Sequence, residues 1–276
     1  MTPSRLFALC LAAVAVGACS NDDELGAAAP TAGMRFINAV GDTGSMDLRV
    51  VDIVGDAPQF LDNVFRGVTP YQGVTAGTRR LRLYMTPVRT DTLAGSLVVW
   101  DTTFTFVAST NYTVAITGFA RAAGGVPLQM LITEDPAGDP AGQIGLRLIH
   151  AGSAMGNVDV NTTRRATDTL PDAPQAGNVA YGTVGTYFTT GRDSVAADSL
   201  RGIVTAVGTK TPLLVNLKAP SGVAGTTSAN PIAGSRVAGS VLTAIVIPAA
   251  VAGSQAPAGA ATILYLADRR PPMTVP

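Results

Sequence analysis

Two stretches decide the fold: residues 34–49, MRFINAVGDTGSMDLR, and residues 146–161, LRLIHAGSAMGNVDVN. Laid over each other without a gap, Arg35 meets Arg147, Ile37 meets Ile149, Ala39 meets Ala151, Gly44 meets Gly156 and Asp47 meets Asp159. Such recurrence marks a duplicated unit. Further along, Asn63-Val64, Gly67 and Tyr71 are echoed by Asn178-Val179, Gly182 and Tyr187, with one residue inserted. The ends also agree, PLQMLITED (127–135) lying against ATILYLADR (261–269). The reading is therefore two repeats, 33–137 and 143–270, joined by the Pro/Gly-punctuated segment 135–142.

Within each repeat the pattern is β. Met34, Phe36 and Asn38 alternate with Arg35 and Ile37, and residues 78–84 alternate polar with apolar at period two. Residues 47–51, leading to a Gly55-Asp56 turn, residues 97–100, 102–106 and 112–117 all have strand composition. Short strands between Gly, Pro, Asn and Asp clusters predict sandwiches rather than βαβ units. No amphipathic helix is expected after residue 33. The Gly/Ser/Ala/Thr-rich stretch 221–239 reads as a long exposed loop. The uncharged stretch 237–267 is cut by Pro248, Gly253, Pro257 and Gly259, so it reads as buried strands around a turn rather than a membrane helix.

The composition excludes several classes. Hydrophobic residues make up 47% and charged residues only 14%, the reverse of a disordered chain. Nineteen basic residues balance nineteen acidic ones, whereas a nucleic-acid binder needs a basic surface to displace counterions. No nucleic-acid partner is expected.

The amino terminus reads as an export signal. Arg5 supplies the positive charge, and the apolar run 6–16 is too short for the ~20 residues a spanning helix needs. Val16-Gly17-Ala18-Cys19 then resembles the bacterial lipobox, which implies cleavage after Ala18 and acylation of Cys19. Residues 1–18 would be the signal peptide and 19–32 the acylated tether. Cys10 leaves with the signal, so no disulfide is expected. Each buried methylene of an acyl chain adds ~0.8 kcal/mol, so two or three chains hold firmly to a membrane. Ser20, in place of the Asp that favours inner-membrane retention, points to the outer membrane. The acidic stretch 21–24 and the Ala/Gly/Pro-rich 25–33 read as a flexible lead.

The two copies of Arg-x-Ile-[Asn/His]-Ala followed by Asp-[Leu/Val] resemble the bacterial domain-of-unknown-function family 4397. Arg35/Arg147, Ala39/Ala151 and Asp47/Asp159 match its first two strands, and His150 its histidine. Asn38 stands at that place in the first copy. Tyr71, Ala76, Gly77 and Thr78 match its later part, with Tyr187 and Thr190-Gly191 as a weaker counterpart in the second copy. The resemblance implies an extracytoplasmic all-β chain of two tandem Ig-like or transthyretin-like β-sandwiches, and no particular activity.

Candidate chemistry is sparse. His150 is the only histidine; no Gly-x-Ser-x-Gly elbow accompanies it, and Asn38 replaces it in the other copy. It reads as a hydrogen-bonding strand residue. With one His and no free Cys, no metal or other cofactor is expected. Asp47 and Asp159 recur in different repeats rather than as a catalytic pair, so each is expected to accept backbone N–H groups at its own turn. A calcium site using Asp47 with Asp42 lacks the Asp-x-Asp-x-Asp spacing. Arg35 and Arg147 are expected to pair with acids inside the fold. Arg79, Arg80 and Arg82 read as a solvated strand face, and Trp100 as core. Gly222 to Gly225 lack the end of a phosphate loop.

The expected function is a non-enzymatic, lipid-anchored envelope protein with a structural or binding role, possessing an envelope protein or glycan as partner. The alternative is a glycan- or ligand-binding lipoprotein serving transport or assembly, marked by a concave aromatic-lined groove between the repeats. A hydrolase would need His150 within reach of a Ser and an Asp in a cleft.

Overall fold

The computed structural model describes residues 29–53, 58–85, 97–121, 125–135, 138–269 and 271. The export signal, Ala18, Cys19, Ser20 and the Gly55-Asp56 turn lie outside the described residues. All regular structure within them is β-strand. The first repeat runs β1 (Thr31–Val40), β2 (Met46–Val50), β3 (Gln59–Asn63), β4 (Gln72–Thr75), β5 (Gly77–Met85), β6 (Val98–Phe106), β7 (Asn111–Gly118) and β8 (Gln129–Asp135). The second runs β9 (Ile144–His150), β10 (Val158–Thr163), β11 (Ala176–Val179), β12 (Phe188–Thr190), β13 (Arg201–Ala206), β14 (Leu213–Lys218), β15 (Val241–Ile247) and β16 (Thr262–Arg269).

The strands pair identically in both copies. One sheet of the first repeat has the order β4-β1-β7-β8 and the other β3-β2-β5-β6; the second repeat gives β12-β9-β15-β16 and β11-β10-β13-β14. First and seventh strands lie parallel, β1 on β7 and β9 on β15. Of the two expected sandwich types, this order is the transthyretin-like one. The chain is thus all-β, with two tandem β-sandwiches.

Alternation builds each core. Leu81 and Leu83 on β5 point inward, while Arg80 and Arg82 face out. Met34, Phe36, Leu48, Leu83, Val114 and Ile116 fill the first sandwich. Leu146, Val158, Val160, Val204, Leu242 and Ile263 fill the second. A third apolar cluster draws on both repeats, with Ile37, Ala39, Ala115 and Leu131 from one and Ile149, Ala151, Ile245 and Leu266 from the other. Hence β1 and β9 are buried on both faces, one toward their own sandwich and one toward the other repeat. Fully burying an Ile contributes ~1.5–3 kcal/mol, so the third cluster ties the repeats together tightly.

The structure corrects several sequence readings. Residues 98–100 and 102–106 belong to one strand, β6, which Leu97 precedes. Trp100 is half-buried at the sandwich edge rather than enclosed. The 221–239 stretch is only half exposed: Ala233, Ser235 and Val237 are buried. It folds back on itself through the Val223–Ile232 bridge, and Gly222 and Gly234 touch so closely that a Cβ on Gly234 would fall 2.2 Å from the Gly222 nitrogen. The stretch 237–267 holds β15 and most of β16 around a turn, and among the described residues no helix is long and apolar enough to cross a membrane.

Two details of the repeat alignment shift by one residue. Asp62, not Asn63, is the counterpart of Asn178: both have positive φ (53° and 50°), and their N–H groups donate to Asp47 and Asp159 at 2.8 Å. At the carboxyl ends Asp135 corresponds to Asp268, because each accepts from the equivalent Thr and Tyr of its repeat. A one-residue slip in a strand exchanges its two faces, so this register decides which side chains meet.

Candidate functional site

The principal polar site lies where the repeats meet. Arg35 on β1 sits opposite Thr113 on β7, and Arg147 on β9 sits opposite Thr243 on β15. Each arginine first bonds within its own repeat, Arg35 Nε to Thr113 Oγ1 at 2.8 Å and Arg147 Nε to Thr243 Oγ1 at 2.7 Å. Each then reaches into the other repeat. Arg35 donates to Asp268 and, at 3.0 Å, to the Ala267 carbonyl. Arg147 donates to Asp135 and, at 2.7 Å, to the Glu134 carbonyl. The two halves are copies of one design.

Tyrosines complete the cluster. The Tyr71 hydroxyl donates to Asp135 at 2.5 Å, and Tyr187 to Asp268 at 2.7 Å. Their rings lie under the guanidinium carbons of Arg35 and Arg147 at 4.8 and 4.7 Å, within cation–π range. Thr113 and Thr243 donate to the same two carboxylates, each at 2.6 Å. Arg35 also stands 3.5 Å from Asp135, which links the halves. All four charged residues are buried, and two positive charges balance two negative ones.

Electrostatics make this a lock. Burial pushes the Asp268 carboxyl up, and the Arg35 guanidinium pulls it back. Burial is also the main cause raising both phenols, so Tyr71 and Tyr187 remain donors at physiological pH. Every oxygen of both carboxylates accepts at least one hydrogen bond, the Oδ2 atoms two each, so both groups are engaged in holding the fold. A buried pair of this kind contributes little net stability against an apolar replacement, but removing one partner is costly. Here the two pairs join residues of different repeats, Arg35 with Asp268 and Arg147 with Asp135.

His150 is fully buried, with both ring nitrogens engaged. Nε2 bonds the Gly156 carbonyl at 2.8 Å, and Gly152 N–H donates to Nδ1 at 3.2 Å. The proton therefore sits on Nε2. Burial lowers the imidazole pKa, and the Gly156 bond opposes that shift. Asn38 shares half of this work in the first copy: Oδ1 accepts Val40 N–H at 3.0 Å, the match of the Gly152 bond, but Nδ2 donates at 2.9 Å to a different carbonyl, that of Asn63 at the end of β3. An acceptor two residues from the accepted N–H is what the two copies share.

The other singled-out residues are placed as follows. Asp159 accepts the N–H groups of Asn178 (2.8 Å) and Gly208 (2.7 Å). Asp47 accepts Asp62 N–H and pairs with Arg49 at 2.7 Å. Asp42 accepts Ala120 and Arg121 N–H, both at 2.9 Å. Arg80 and Arg82 converge on Asp101 at 2.8 Å and hold its carboxyl down to about 2, chiefly by hydrogen bonding. Arg79 turns back to the carbonyls of Thr75 and Ala76. Among the described residues no group of three or more His, Cys, Asp or Glu could hold a metal ion.

A cleft of about 560 Å³ opens beside the junction, where Asp139 and Pro140 face Gly145, Tyr187, Thr189 and Val241. The sequence reading missed Asp135, Asp268, Thr113 and Thr243. Their recurrence was the available signal, and the one-residue slip at the carboxyl ends concealed it.

The fold and site define a tandem β-sandwich chain locked by reciprocal charges. Residues 32–161 match the model of a family described as "Domain of unknown function (DUF4397)", the family that the sequence resembles. The match takes in all of the first repeat and reaches through β9 into β10. No curated protein matches the chain. Two solved structures described as putative cell adhesion proteins are similar to it at 10% identity. The one from Parabacteroides distasonis ATCC 8503 aligns over 86% of this chain and 99% of its own, with a TM-score of 0.23. The one from Bacteroides eggerthii DSM 20697 aligns over 87% and 95%, with a TM-score of 0.19.

Proposed function

We propose that this chain is a non-enzymatic, lipid-anchored envelope protein whose double sandwich serves a structural or adhesion-like binding role. The observation that carries the reading is the use of its buried polar groups: the four charges between the repeats and both nitrogens of His150 are occupied in holding the fold. Val16-Gly17-Ala18-Cys19 supports the anchor, and Ser20 an outer-membrane destination. Acyl chains on Cys19 are then the membrane contact, and the partner is an envelope protein or glycan. The cleft flanked by Tyr187 beside the junction favours a second reading, a glycan- or ligand-binding lipoprotein serving transport or assembly.

The test replaces Cys19 with Ala and fractionates the host. The proposal expects the variant to leave the membrane fraction and the native protein to carry a thioether-linked lipid by mass spectrometry. Unchanged membrane association would sink the anchor. A pull-down of the mature protein from envelope extract, glycans included, tests the binding role. A hydrolytic activity lost in His150→Asn would overturn the non-enzymatic reading.

A further inference from the structure

We propose that the face joining the repeats is a self-complementary docking surface whose alternative occupant is a second copy of this chain, the two molecules trading repeats so that repeat 1 of each sits on repeat 2 of the other. This stands on the interface alone and does not rest on the proposed function.

Reciprocity is the first ground. An isologous interface requires each partner to carry both halves of every contact. Here each repeat supplies an arginine and the carboxylate that receives the other's: Arg35 with Asp135 in one, Arg147 with Asp268 in the other. Beyond the cluster each repeat also both gives and receives, through contacts that are not copies of one another. Arg66, after β3, donates to the Pro248 carbonyl at 3.2 Å in the turn between β15 and β16. Its counterpart Gly182 packs against Gln129, at the start of β8. Thr117 donates to the Ala151 carbonyl at 2.6 Å in one direction, and Val251 N–H to the Gly41 carbonyl at 2.7 Å in the other.

Independence of the two bodies is the second ground. Each sandwich closes its own core, and the apolar cluster between them is separate from both. Opening the interface therefore leaves two filled cores. The chain joins them through the segment between Asp135 and Ile144, whose described ties to the second repeat are Arg269 on Asp139 and on the Gly138 carbonyl, each at 3.2 Å, and Gly239 N–H on the Gln143 carbonyl at 2.9 Å. Nothing in the interface distinguishes a repeat of the same chain from one of another molecule. A short linker presents its own repeat at an effective concentration of order millimolar, so the closed monomer prevails in dilute solution. Exchange gains weight as the local concentration of chains rises.

Two full-length chains with opposite defects test this. One carries Arg35→Asp and faces its own Asp268; the other carries Asp268→Arg and faces its own Arg35. Each alone sets like charges together. Traded between the two molecules, the reversed residues meet each other, and the wild-type Arg35 and Asp268 meet as well. Co-refolding is expected to give a 1:1 heterodimer of twice the monomer mass by light scattering and native mass spectrometry, while the chain bearing both changes stays monomeric. If the two chains remain separate monomers when the doubly changed chain folds, the proposal is overturned.

Wild-type chains cleaved at a protease site placed in 138–142 provide the second measurement, should the reversed chains fail to fold. The cleaved halves are expected to stay paired, and mixing isotopically light and heavy preparations after refolding to yield hybrid pairs. Halves that separate at micromolar concentration, or mixtures without hybrids, overturn the proposal equally.

Discussion

Arg35 of the first repeat closes on Asp268 of the second, while Arg147 of the second closes on Asp135 of the first. Each carboxylate is also held by the Thr and Tyr of its own repeat. Arg35→Met therefore leaves a buried carboxylate with two hydroxyl donors and no countercharge. The expected loss is about 3–5 kcal/mol, read as a lower urea midpoint. Arg35→Lys is expected to recover only part of it, because an ammonium cannot hold Thr113, Ala267 and Asp268 with a planar fork.

The N–H that Asn38 and His150 both accept, two residues further on, predicts which changes are tolerated. His150→Asn can keep the Gly152 N–H bond and strands at most the Gly156 carbonyl, so it should cost about 1 kcal/mol. His150→Leu strands the Gly152 N–H and the Gly156 carbonyl and should cost about 1–3 kcal/mol. Denaturant unfolding of the two variants checks this; equal losses would contradict the hydrogen-bonding role.

Acid sensitivity follows from the same residue. Burial holds the folded-state pKa of His150 below its ordinary value near 6.5. The unfolded chain therefore takes up the proton first as pH falls. The stabilising contribution is complete above about pH 6.5 and is lost on acidification until the folded pKa is passed, at up to ~1.4 kcal/mol per pH unit. Asp268, raised by burial, has the opposite sign: its contribution is present below the ordinary carboxylate range and falls as pH rises through its folded pKa. The difference between wild type and His150→Asn across pH 8 to 5 isolates the imidazole. A flat difference would contradict the assignment.

Gly202 provides a packing test. A Cβ there would fall 2.5 Å from the Tyr265 hydroxyl and 2.7 Å from Ile263 Cδ1. Tyr265 covers this spot, donates to the Leu217 carbonyl at 3.3 Å, and has its phenol pushed up to about 12, mainly by burial. Gly202→Ala should cost about 1–3 kcal/mol by overpacking. It should also bring the ultraviolet titration of this tyrosine closer to 10.

The sequence carried the duplication and the strands because alternation and recurrence are local signals. Residues 34–40 show why the interface was harder to read. On β1 the core face is Met34 and Phe36, while the second face, Arg35, Ile37 and Ala39, is almost as apolar. Alternation marks two faces but does not say that another repeat covers the second. The arginines were recognised as recurrent and their acids were not, because matching 127–135 with 261–269 set Asp135 against Arg269. Pairing partners far apart in the chain are chosen by the assembled sheets, and a single residue of register decides them.

A double-mutant cycle on Arg35 and Asp268 tests the central claim most directly. If the repeats are locked by reciprocal charges, Arg35→Met and Asp268→Leu together should cost less than the two singles added, with a coupling of at least about 1.5 kcal/mol, inside the range for residues in contact. Losses that add to within ~0.5 kcal/mol would mean that the two side chains do not meet, and would contradict the account.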